Sequence, residues 1–196
     1  MSHHIYHTHA FVLGSVPRAE ASAVVSLFTE SHGCVRASVQ GVRLAQSKLK
    51  HALQDFYTAK VDLVRGRRVW RVTGAMHDSV GQKIMKVAHA RTAYVRALRF
   101  VNRMAPEEEP HPEIFSLLSD AARFLSRETL SEKEARRWEV VVAAHILKRL
   151  GYWGGSTSPA VTAPPRWTRE HLAHIPPSDY RRAVRHIAEA VAQSHL

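Results

Sequence analysis

Gly33-Cys34-Val35-Arg36-Ala37-Ser38-Val39-Gln40-Gly41 alternates strictly between two glycines. Val35, Ala37 and Val39 share one side, and Arg36, Ser38 and Gln40 the other, the pattern of a strand with one buried and one polar face. Upstream, residues 24–29 are β-branched and apolar, and Glu30-Ser31-His32-Gly33 turns the chain back. Earlier still, Thr8, Ala10 and Val12 alternate with His9, Phe11 and Leu13, which suits a mostly buried strand. A loop containing Gly14 and Pro17 separates these two runs. Downstream of Gly41 the period changes, and Leu44, Leu49, Leu53 and Phe56 suit a helical or irregular connection. Two further strands, 60–64 and 69–73, flank the tight basic turn Arg65-Gly66-Arg67-Arg68. Three strands, a helical connection and two strands is the order of an OB-fold barrel. An SH3-like barrel fits the same alternation.

Charge sharpens the picture. Of 28 Lys and Arg against 17 Asp and Glu, residues 1–103 hold 16 against 5, while the remainder is balanced at 12 against 12. A basic excess confined to one segment is the footprint of a polyanion-binding surface, most often one for nucleic acid. In OB-folds the face of strands 2 and 3 and the loops between strands 1–2 and 4–5 bind oligonucleotides. Here strand 3 carries Arg36 and the 4–5 turn carries three arginines, whose planar forks suit phosphate oxygens. The apolar share of 45% is that of a globular chain. A single cysteine, Cys34, excludes an intramolecular disulfide and the usual cysteine-based zinc site. Cys34 follows a turn glycine and reads as a packing residue. No stretch approaches the 18 apolar residues of a membrane span, and the first residues lack the pattern of a signal peptide. The expectation is a cytoplasmic, nucleoid-associated protein with no membrane partner.

The same region resembles a known family. Tyr6-x-Thr8-x-Ala10-Phe11-Val12-Leu13, Glu20, Leu27-Phe28-Thr29, Gly33, Gln40-Gly41-Val42-Arg43, Ser47-Lys48-Leu49, Leu53-Gln54-x-Phe56 and Gly66-Arg67 follow in the order and spacing of the RecO N-terminal domain. That resemblance to the bacterial recombination mediators implies an OB-fold that binds single- and double-stranded DNA. It also implies strand annealing, RecR as partner, and help in loading RecA onto DNA coated by single-strand binding protein. The overall expectation is an α+β chain, with a five-stranded OB-fold at 1–78 for DNA and an all-α domain at 79–196 for partners.

In the second half, Val87, Tyr94, Leu98 and Val101 predict one helix from about residue 79 to 104, with Arg96, Arg99 and Arg103 on its opposite face. Ala105-Pro106 ends it, and Glu107-Glu108-Glu109 with Pro110 and Pro112 reads as a linker. Residues 114–125 form a short helix, and Ser131 with Glu134 predicts a capping box. Trp138, Val141, Val142 and His145 share a face of the helix that follows, His145 as a core or rim residue. That helix stops near Leu150-Gly151-Tyr152, and 153–165 is a loop. Asp179 caps the last helix, with Tyr180, Val184, Ile187 and Val191 inward and Arg181, Arg182 and Arg185 outward. Arg136-Arg137-Trp138-Glu139, leading into Leu150-Gly151-Tyr152, is similar to the RecO helical domain. Many RecO proteins carry a four-cysteine zinc module where this chain has residues 154–169, without a cysteine. Neither zinc nor any other cofactor is expected.

The candidate DNA contacts are Arg36, Arg43, Lys48, Lys50, Arg65, Arg67, Arg68 and Arg71, joined by Arg96, Arg99 and Arg103 on the helix. Trp70 falls on the face opposite Arg71, which points to core packing rather than base stacking. The resemblance implies docking of the acidic, Phe-terminated tail of single-strand binding protein on the helical domain, for which Arg136 and Arg137 are the candidates. His3, His4, His7 and His9 cluster without a carboxylate or cysteine spaced nearby to complete a metal site. A two-metal nuclease needs clustered carboxylates, and between Arg36 and Arg103 the chain offers only Asp55, Asp62 and Asp78. A non-enzymatic binder is therefore expected, and a general OB-fold module for single strands outside recombination explains the charge as well.

Overall fold

The computed structural model describes residues 4–18, 20–42, 47–67, 69–153 and 159–194. The chain divides into two compact units, one of Met1–Gln82 with Ala105–Phe115 and one of Lys83–Met104 with Ser116–Leu196. The division is not a single cut at 78/79. The acidic segment read as a linker belongs with the barrel.

In the first unit, β1 (Ile5–Pro17), β2 (Ala23–Thr29), β3 (Gly33–Val39), β4 (Thr58–Arg65) and β5 (Trp70–His77) close into a barrel of order β1-β2-β3-β5-β4. A short helix, α1 (Lys48–Ala52), lies between β3 and β4 in the chain and packs on β5. All pairings are antiparallel except β3 with β5, which closes the barrel through Ala37 opposite Trp70 and Ser38 opposite Arg71. This is the OB-fold arrangement, and the SH3-like alternative falls away. The core follows from the alternation. Ala10, Val12, Val25, Leu27, Val35, Ala37, Val39, Val61, Leu63 and Val72 point inward and are nearly inaccessible. Trp70 joins them at 2% exposure, as expected from its phase against Arg71.

Phe11 and Phe28 are buried too, yet they alternate out of phase with that core. They face each other across β1 and β2, and the ring of Phe115 covers both, with centroids 5.2 and 5.8 Å away. Both faces of this part of the sheet are thus buried, which explains the continuous apolar run Ala10-Phe11-Val12-Leu13.

After β5, the single long helix expected from 79 to 104 is two helices, α2 (Ser79–Ile84) and α3 (Ala88–Met104). Gly81 weakens the first by about 1 kcal/mol relative to alanine. The Arg91 guanidinium donates to the Met85 carbonyl at 3.2 Å, satisfying an acceptor where the chain breaks. Val87, expected on the inner face, is exposed.

The second unit contains α3, most of α4 (Pro112–Arg127), α5 (Glu132–Arg149), α6 (Pro159–Thr162), α7 (Arg169–Ala173) and α8 (Pro177–Gln193). α5 is its axis: residues 140–147 are buried all round, and it packs on α3, α6, α7 and α8. Its start is the expected capping box, in which the Glu134 amide donates to Ser131 Oγ and the Ser131 amide donates to the Glu134 carboxylate at 2.7 Å. The Ser131 amide first, then the Ser131 hydroxyl and Arg169, hold the Glu134 carboxyl down to about 2. The expected loop over 153–165 contains α6, whose Val161 is buried. α8 begins with Pro176 at its cap rather than Asp179, which lies in the first turn. Its buried residues are Ala183 and Ala190, while Val184, expected inward, is exposed.

Candidate nucleic-acid interface

Strand alternation places the barrel's basic residues. Arg36 on β3 is exposed, and Ser38, two residues on and on the same face, pairs with the exposed Arg71 of β5. Arg65 ends β4 and Arg67 lies in the following turn, both exposed. Lys48 and Lys50 are exposed on α1. Six of the expected contacts therefore lie on the barrel unit, on β3, the β4–β5 connection, β5 and α1. Arg43 and Arg68 lie outside the described residues.

The sequence pattern missed what covers part of this surface. Ala105–Phe115 returns to the barrel as a strap. Glu107 forms a parallel bridge with Cys34, and the Glu108 amide donates to the Cys34 carbonyl at 2.8 Å. Gly33, at φ +64°, makes room for it: a Cβ there would sit 1.9 Å from the Glu109 carbonyl oxygen. The strap's carboxylates meet the candidate arginines. Arg36 Nε lies 3.1 Å from Glu107, and Arg65 donates to Glu108 Oε2 at 2.8 Å. The other Glu108 oxygen accepts from the Trp70 indole at 3.1 Å. Around that indole stand Tyr6 and His32, ring centroids 5.5 and 4.9 Å away, and the Arg65 guanidinium, 5.2 Å from the ring centre. Burial, and next the Arg65 charge, lower the His32 pKa. Cys34, beneath the strap, is a packing residue as expected: burial, then Glu107, pushes its thiol up to about 12.

The histidines gain carboxylate partners that spacing along the chain could not reveal. His7 Nδ1 is 2.6 Å from Asp62 on β4, and His9 Nδ1 is 3.2 Å from Glu30. Among the described residues, no group of three or more His, Cys, Asp or Glu side chains comes together to hold a metal. None of the described helices is long and apolar enough to cross a membrane.

In the helical unit the candidates separate. Arg137 is buried and donates to the carbonyls of Leu172 and Ala173 at 2.8 and 2.6 Å, at the end of α7. Its guanidinium, expected to meet a partner's carboxylates, is committed to the backbone of its own unit. Arg136 is exposed and bonded to Glu132. Arg96, Arg99 and Arg103 are all exposed on α3, where their i, i+3, i+7 spacing keeps them on one face, and Arg96 lies 3.5 Å from Glu139. Arg96 and Arg136 both line a cavity of about 440 Å³ floored by Phe100, Val140, Ala143 and Ile187. Its Glu139 carboxyl is raised by burial, against the opposing pull of Arg96. A second cavity, of about 430 Å³, is lined by Lys133, Arg136, Arg137, Tyr180 and Arg181.

A closed barrel of order β1-β2-β3-β5-β4, with a helix between β3 and β4, defines the first unit as an OB-fold domain. Residues 1–76 match the family model described as Recombination protein O N terminal. Among curated relatives, the DNA repair protein RecO of Pseudoalteromonas atlantica is 32% identical over 155 residues, covering 79% of this chain and 62% of that protein. The DNA repair protein RecO of Dehalococcoides mccartyi is 29% identical over 151 residues, covering 76% and 57%. That of Geobacter sulfurreducens is 28% identical over 147 residues, covering 73% and 57%. Residues 1–76 belong to the RecO N-terminal family, and the chain, similar to these DNA repair proteins over most of its length, spans less than two thirds of the length of each.

Proposed function

We propose that the chain is a non-enzymatic DNA-binding recombination mediator of DNA repair. It binds single- and double-stranded DNA on the barrel, anneals complementary strands and, with RecR, helps load RecA onto DNA coated by single-strand binding protein. The observation that carries the reading is the set of exposed basic residues Arg36, Lys48, Lys50, Arg65, Arg67 and Arg71 on one closed OB barrel. Such contacts go to phosphate, so binding is weakly dependent on sequence and steeply dependent on salt. Arg43 and Arg68 extend the same set in sequence, and Arg99 and Arg103 add basic charge on α3.

The cavity lined by Arg96 and Arg136 is the favoured place for the acidic, aromatic-ended tail of single-strand binding protein. Its apolar floor suits a phenylalanine ring and its two guanidinium groups suit carboxylates.

The test is annealing of complementary oligonucleotides coated with the cognate single-strand binding protein, at two salt concentrations. The expected result is annealing by the wild type and its loss when Arg65, Arg67 and Arg68 become Ala. Tight DNA binding without annealing of coated strands overturns the mediator reading and leaves a general OB-fold single-strand binder.

A further inference from the structure

We infer that Glu107 and Glu108 are an internal phosphate mimic: they occupy Arg36 and Arg65 on the barrel, and DNA must displace them to use those arginines. The inference rests on the reading that the barrel binds DNA. It begins from a division of labour within the strap. The backbone and Phe115 dock it, through the bridge at Cys34, the Glu108 amide on the Cys34 carbonyl, the close approach at Gly33 and the Phe115 ring on Phe11 and Phe28. None of these contacts uses the Glu107 carboxylate. Glu108 contributes a single oxygen to the Trp70 indole, and its other oxygen goes to Arg65.

Two consecutive carboxylates are thereby delivered onto two arginines that no local pairing along β3 or β4 would neutralise. The pairs are also accessible: Arg36 and Glu107 are 72% and 67% exposed, and Arg65 and Glu108 are 62% and 46% exposed. Ion pairs this open contribute about 0–1 kcal/mol each, so a phosphate backbone can exchange with them. The strap therefore sets a threshold. Weak or short polyanions do not displace both carboxylates, whereas a longer strand already held by Lys48, Lys50, Arg67 and Arg71 does.

The experiment measures binding of the full chain to a fluorescein-labelled single-stranded oligonucleotide across a salt series, comparing wild type with E107Q/E108Q. Glutamine keeps an acceptor for the Trp70 indole while removing the charge. The expected result is several-fold tighter binding and a steeper salt dependence. Adding R36A/R65A to the double variant should erase that gain. E30Q/D55N makes the same change in net charge elsewhere on the barrel unit and should give a clearly smaller gain. The inference is overturned if E107Q/E108Q binds no tighter than wild type, if E30Q/D55N matches it, or if the gain survives R36A/R65A. Absence of DNA binding by every variant overturns the DNA reading itself, and this inference with it.

Discussion

The barrel shows its arginines to solvent, whereas the helical unit also spends some on its own backbone. On the barrel, Arg36, Arg65, Arg67 and Arg71 are exposed, and the first two pair with carboxylates of one acidic strap. In the helical unit, Arg137 is spent on the last carbonyls of α7. Arg149 reaches back to the His145 carbonyl. A guanidinium bonded to backbone inside a helical unit is part of its architecture. One held at the surface by another side chain can change partner. Net charge alone does not separate these roles; burial and the identity of the acceptor do.

The largest effect that would sharpen this contrast is on stability. Arg137→Met leaves two helix-end carbonyls without their donor, and a lost hydrogen bond to a charged group costs roughly 1.5–3 kcal/mol. Urea denaturation should show a loss of about 3 kcal/mol, and an unchanged midpoint would break the comparison. R65A/R67A should act the other way round. Its stability should stay within about 0.5 kcal/mol of wild type, as for ordinary surface changes. The slope of log affinity against log salt for single-stranded DNA should become shallower by roughly 1.4, at about 0.7 for each lost phosphate contact.

Acid should also distinguish the regions. Burial, and then the Arg149 charge, lower His145 from 6.5 to about 4, so the folded helical unit favours the neutral ring. A group lowered in this way contributes full stability above 6.5, lost as pH falls through about 4. Thermal unfolding followed from pH 7 to 4 should show that decline, and His145→Leu should flatten it. The smallest effect belongs to the capping box. Ser131→Ala should cost about 1 kcal/mol at neutral pH. The part due to Glu134, whose carboxyl sits near 2 instead of 4.5, is present above 4.5 and lost as pH falls to about 2.

The barrel was legible in the sequence because each strand states its own phase. Val35, Ala37 and Val39 alternate with Arg36 and Ser38 whatever lies around them, and Ser131 with Glu134 announces a helix start within four residues. The strap was not legible. Three glutamates between prolines look like any solvated linker, and their pairing with Arg36 and Arg65 spans a gap that no periodicity bridges. Opposite charge in the two segments was the available signal. On α8, Ile187 and Val191 pack inward as expected, but Val184 was misread for a different reason. Hydrophobicity ranks Val184 above Ala183, but close packing selects the small residue, and Val184 is left outside. His7 and His9 likewise found their carboxylates on β4 and in the turn after β2, neighbours made by the fold alone.

The return of Phe115 to the barrel has a consequence for the order of synthesis. The last strand ends at His77, but the ring that covers Phe11 and Phe28 emerges from the ribosome only after α3 has been made. At roughly 5–20 residues per second, the interval is on the order of several seconds. During it the nascent barrel presents two bare phenylalanines, a window in which a ribosome-associated chaperone has something to hold.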